Sequence, residues 1–186
     1  MKKVRLIVIV LVITSIAIIF SKIIKPNVQA QNLSLNKDVY NFLQDKKNRI
    51  EVYSSAIQLN KGSSENTCVY FISEVLRKNN FKVPMETSNT SQFMSFLKEN
   101  GFKKQSNYKK LMPGDICFAT DANEGFPTHT YVFMKWVKEG NYDYAYICDN
   151  QAKDYKGKIY HIRNINVVAK SNGFIKDAFA FFMKRT

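Results

Sequence analysis

Apolar side chains recur at positions 68, 71, 72, 75 and 76 (Cys, Phe, Ile, Val, Leu), the spacing at which one face of an α-helix is buried. Ser63 or Ser64 can cap that helix, Glu65 suits the positive end of its dipole, and Asn79-Asn80 can end it. This spacing predicts a helix over about 63–80 with Cys68 in its second turn. Upstream, Val39, Phe42 and Leu43, then Ile50, Val52, Tyr53, Ala56 and Ile57 predict two short helices or one bent one between Asp38 and Leu59. Residues 31–37 form a polar lead with little fold content. Downstream, Phe93, Phe96 and Leu97 share a face of a helix over 92–100 that Thr90 or Ser91 caps and Gly101 stops.

After a lysine-rich link over 103–110 the period changes. The turn Pro113-Gly114-Asp115 leads into the apolar run Ile116-Cys117-Phe118, and residues 128–137 are rich in β-branched and aromatic side chains. Glu139-Gly140-Asn141 is a hairpin loop, and residues 142–149 alternate aromatic and small apolar positions. The stretches 158–163 and 165–169 are expected to pair as further strands, and 174–184 as a last one. Helices first and a meandering antiparallel sheet second define an α+β layout.

Composition adds a compartment. The chain opens Met-Lys-Lys-Val-Arg, continues without a charge from Leu6 to Phe20, and offers Val28-Gln29-Ala30 as a small-residue cleavage site. That pattern reads as a secretory signal peptide over 1–30, or an uncleaved anchor, followed by a single domain over 31–186. The protein is therefore expected to be secreted or extracytoplasmic, touching a membrane only through the N-terminal segment. Its net charge is +13; loss of Lys2, Lys3, Arg5, Lys22 and Lys25 leaves 23 basic against 15 acidic residues, or +8. Such a chain suits an anionic wall surface. No clustered arginines or interleaved basic and aromatic residues point to nucleic acid. Three cysteines in an exported chain leave at least one unpaired; Cys117 and Cys148 can pair or pack, leaving Cys68 free. No zinc-ligand spacing is present, and no cofactor is expected.

A nucleophilic cysteine needs a base and a group that orients the base. Near a helix start, backbone amides favour the reactive thiolate of Cys68. His129, beginning a strand after the loop 121–128, is better placed as base than His161, which lies inside a strand. Asp149 shares a strand face with Ala145 and Ile147 and is the candidate orienter, with Asn150 and Gln151 as alternatives. Oxyanion stabilisation would come from the Cys68 amide and a polar neighbour such as Asn66.

Four segments, Asn66-Thr67-Cys68-Val69-Tyr70-Phe71, Leu111-Met112-Pro113-Gly114-Asp115-Ile116-Cys117-Phe118, Thr128-His129-Thr130-Tyr131-Val132 and Tyr146-Ile147-Cys148-Asp149-Asn150, occur in an order that resembles the papain-like bacterial wall hydrolases of the CHAP and NlpC types. The chain departs from them in carrying Thr-Cys-Val-Tyr and Thr-His-Thr where relatives often have Asp-Cys-Ser-Gly or Gly-His. The resemblance implies N-terminal helices on an antiparallel, partly open barrel. It implies a monomeric amidase or endopeptidase acting on peptidoglycan or other peptides, with Cys68 as nucleophile, His129 as base and Asp149 as orienter. The alternatives are acyl transfer, or a non-catalytic domain of the same fold that binds wall or surface polymers.

Overall fold

The computed structural model describes residues 28–121 and 126–185, with side chains from Leu35 onward. The charged leader and apolar run of the expected signal segment lie outside these residues. Four helices come first: α1 (Val28–Gln44), α2 (Lys46–Leu59), α3 (Cys68–Lys78) and α4 (Thr90–Glu99). None of the described helices is long and apolar enough to cross a membrane. The interruption expected after Phe42 is real: Asp45 ends α1 and its carboxylate accepts from the Lys47 amide, capping α2.

Two helix boundaries differ from expectation. The segment 31–37 is helical rather than a polar lead, because Leu35 and Asn36 find partners in the sheet and core. Helix α3 starts at Cys68 itself, not at Ser63–Ser64. The Thr67 hydroxyl, at the cap position, donates to the Ser64 carbonyl at 2.8 Å and makes no cap bond. Its apolar stripe then does what the spacing requires: Phe71, Ile72 and Val75 are fully buried against Leu43, Val52, Phe93 and Met134. Each such side chain contributes about 1.5–3 kcal/mol by leaving water.

The strands are β1 (Phe102–Gln105), β2 (Ile116–Thr120), β3 (Pro127–Lys138), β4 (Asn141–Cys148), β5 (Tyr160–Asn164), β6 (Ala169–Ser171), β7 (Phe174–Lys176) and β8 (Phe179–Arg185). They make a six-stranded sheet ordered β1-β8-β2-β3-β4-β5, every neighbouring pair antiparallel, and a separate β6–β7 hairpin. The sheet ends on the edge strands β1 and β5 and is not a closed barrel. The chain is thus α+β with its helices on one face of an antiparallel sheet.

Residues 103–105, read as the start of a link, pair with β8 together with Phe102 as an edge strand; two lysines there hide the strand pattern, as edges often require. Residues 165–169 do not pair with β5, because Phe179 N–H takes the Ile165 carbonyl at 2.7 Å and residue 169 begins the hairpin instead. Both sheet faces are covered. Ile116, Phe118, Val132 and Cys148 meet the helices, whereas Cys117, Tyr131, Phe133 and Ile147 pack beneath Leu111, Ile165 and Phe182. Cys117 and Cys148 therefore belong to opposite faces, and both are free thiols.

The turn before β2 locks α1 to this sheet. Gly114 adopts φ +90°, and a Cβ there would lie 2.0 Å from the Asn36 carbonyl oxygen. Asp115, fully buried, accepts from the Asn36 amide at 2.5 Å and from the Met112 N–H at 2.7 Å.

Candidate functional site

Three elements converge where α3 begins. Cys68 is the first residue of α3 and is 9 % exposed. His129 enters near the start of β3, opposite Ala119 of β2, and Asp149 follows directly on β4, whose register with β3 pairs Phe133 with Ile147. Alternation along β4 carries Ala145, Ile147 and Asp149 to one side.

His129 Nε2–H donates to Asp149 Oδ2 at 2.9 Å, and the Cys68 side chain interacts with the same imidazole. With Nε2 committed to the carboxylate, Nδ1 is the ring atom left for the sulfur. Burial alone would lower the His129 pKa; the Asp149 hydrogen bond and the Cys68 side chain outweigh it and hold the value above the ordinary 6.5. Asp149 has no solvent exposure, yet its pKa sits well below the ordinary 3.8. Burial opposes ionisation, but His161, His129 and the Gln151 N–H, which donates to Oδ1 at 2.8 Å, overcome it.

A second imidazole stands on the other side of that carboxylate. His161 Nε2 is 3.9 Å from Asp149 Oδ1, too far for a hydrogen bond. Its Nδ1 must carry a proton, because it faces the Lys158 carbonyl at 3.0 Å, and Tyr155 stacks on the ring at 3.5 Å between centroids. Burial, with Arg163 and His129 nearby, lowers its pKa despite the Asp149 charge. In the neutral ring Nε2 has no hydrogen-bond partner.

Of the alternative orienters, neither amide takes the place of Asp149. Asn150 Nδ2 donates to Thr67 Oγ1 at 2.9 Å and, more weakly, to the Ser64 carbonyl at 3.4 Å. Consecutive residues at the end of β4 thus serve different ends: Asp149 holds the imidazole, and Asn150 holds the loop that delivers Cys68. Nothing in the sequence signals the second role, since Thr67 and Asn150 are 83 positions apart. Gln151 contributes its backbone amide to Asp149. Asn66 is exposed at φ +55°, two residues before the thiol, at the rim of a cleft of about 360 Å³. A larger hollow of about 600 Å³ opens beside Tyr155 and His161, and neither Cys68 nor His129 lines either hollow.

Among the described residues no cluster of side chains has a metal-binding arrangement. No side chain of the N-cap residue Thr67 caps the first amides of α3. The arrangement sets a thiol, an imidazole and a carboxylate in line, with Nδ1 of the ring open to exchange a proton. Searches against family models, curated proteins and solved structures returned no match.

Proposed function

We infer that the protein is a cysteine hydrolase of papain-like type that cleaves an amide bond in peptides, with peptidoglycan peptides as the wall substrate. The observation that carries this reading is the imidazole of His129, held by Asp149 through Nε2 at 2.9 Å with its other side turned to Cys68. The basic charge, +13 for the whole chain and +8 without residues 1–30, supports an anionic wall as the working surface. The resemblance of the four sequence segments to CHAP and NlpC-type hydrolases supports the choice of bond.

The chemistry is acyl transfer to sulfur and then to water. Cys68 Sγ adds to the substrate carbonyl, its proton passing to His129 Nδ1, and the oxyanion meets the Cys68 N–H at the start of α3. Collapse expels the amine, which takes the proton back from His129, and leaves a thioester on Cys68. His129 then removes a proton from water, the hydroxide attacks the thioester, and the acid leaves as the thiol is restored. Asp149 keeps the ring in the tautomer that presents Nδ1 and stabilises the imidazolium. Asn150 fixes the Ser64–Thr67 loop, so the sulfur and the helix amide stay in register.

Cys68→Ala is expected to lower amide hydrolysis, measured by release of a new amino group from purified wall or a peptide, by about 10⁴-fold or more. Retained turnover in that variant would exclude the mechanism.

A further inference from the structure

The cleft that starts two residues before Cys68 carries two features that hydrolysis at the sulfur does not explain. One is an orphaned acceptor. Asn150 is 8 % exposed, and its Oδ1 has no hydrogen-bond partner. The orientation of this amide is fixed from the far end. Thr67 Oγ1 gives its proton to the Ser64 carbonyl, so toward Asn150 it can only accept, and Nδ2 must face it. Oδ1 is then left over in a residue that lines the cleft. Gln151 Oε1, in the same lining, is likewise buried without a partner. Buried acceptors of this kind are rare and call for a donor.

The other feature is an apolar wall. Phe174 and Ile175 of the β6–β7 hairpin line the cleft and are 58 % and 65 % exposed. The hairpin is held there by two contacts with the turn that follows β4. Ser171 Oγ–H donates to the Asp154 carbonyl at 2.9 Å, and the buried Lys176 ammonium pairs with the Asp154 carboxylate. A lysine this deeply buried and paired fixes the hairpin in place and keeps the two apolar side chains on the cleft.

The geometry points to a substrate subsite: an extended peptide lies in this cleft, donates backbone N–H groups to Asn150 Oδ1 and Gln151 Oε1, and rests a bulky apolar side chain on Phe174 and Ile175. The assignment rests on the cysteine-hydrolase reading for its position relative to the bond cut. It narrows the substrate class from any wall peptide to peptides with a large apolar residue near that bond.

The test uses acetylated, amidated hexapeptides in which each position in turn is Ala or Leu. For the full-length protein, kcat/KM at one position is expected to favour Leu by about 10- to 100-fold. In a Phe174→Ser/Ile175→Ser variant, altered only at exposed positions, that ratio is expected to fall toward one. The same pair of peptides titrated into Cys68→Ala protein and followed by NMR should show the same preference in affinity. Equal handling of Leu and Ala peptides, or an undiminished preference in the hairpin variant, would each overturn the subsite. A Leu preference in binding to the Cys68→Ala protein, with no cleavage by the unmodified protein, would keep the subsite and remove the hydrolase reading.

Discussion

His129 and His161 flank one buried carboxylate, and they respond to it in opposite directions. Both rings are nearly inaccessible, so desolvation disfavours the charged form of each. The difference lies in contact. His129 has a direct hydrogen bond to Asp149 and a thiol on its other side, and its pKa rises; His161 stands 3.9 Å away, with Arg163 adding a like charge, and its pKa falls. One ångström of separation, together with the neighbours each ring keeps, makes the same residue type hold its proton more firmly at one place and give it up at the other, as a neutral wedge. The wedge has a visible tension. A ring that donates from Nδ1 to the Lys158 carbonyl turns an unprotonated Nε2 toward the carboxylate, and only the doubly protonated ring would satisfy both acceptors.

The sharpest way to break this contrast is to remove each ring in turn. His129→Ala is expected to reduce peptide hydrolysis by about 10³-fold or more, whereas His161→Gln should cost less than about tenfold. Steady-state assays that found equal losses would erase the distinction. Asp149→Asn should come next, at about 10²- to 10⁴-fold, and should carry a signature in the pH profile. Loss of the carboxylate removes the largest influence that raises the His129 pKa, so the acid limb of activity, where His129 must be unprotonated to take the thiol proton, is expected to move toward lower pH. An unmoved limb would mean that Asp149 only supports the fold.

Stability offers a finer measurement. The raised pKa of His129 gives a contribution that is fully present below 6.5 and is lost as pH rises through the shifted value. The lowered pKa of Asp149 gives one that is present above 3.8 and is lost as pH falls through its shifted value. Their sum is therefore fullest between 3.8 and 6.5. His161 acts in the contrary sense: below 6.5 the unfolded chain binds a proton that the folded ring refuses, so stability falls with pH. Thermal melts of His161→Gln should show a smaller loss between pH 6.5 and 5 than the unmodified protein. The smallest experiment concerns the thiols. Burial pushes the Cys117 and Cys148 thiols far above the ordinary range, so iodoacetamide near neutral pH should label Cys68 alone in the folded chain.

Much of the architecture was legible because its signals are local. The α3 stripe, the break before α2, the Gly101 stop at φ +84° and the change from helical to strand period at Pro113 each need only a few neighbouring residues. The misses share a different cause. The start of α3 is displaced by the Ser64–Thr67–Asn150 chain, and α1 extends through a polar segment because Asn36 meets Asp115 across 79 positions. The sequence presents β1 as Phe-Lys-Lys-Gln, a pattern that acquires meaning only when β8 lies beside it. At the candidate site, alternation along β4 brings Asp149 into view. The nearness of His161 to it depends on the β4–β5 register, which opposes Ile147 to His161 and which no single stretch encodes.

The Asp115 carboxyl has a consequence for life in an acidifying medium. Burial, only partly offset by the Met112 amide, raises its pKa from 3.8 to about 6. The folded chain therefore takes up a proton there before the unfolded chain does, and the fold gains up to about 3 kcal/mol as pH drops from 6 toward 4. Most buried carboxylates hasten unfolding in acid; this one acts as a counterweight, relieving the cost of a buried charge just as the wedge at His161 begins to loosen.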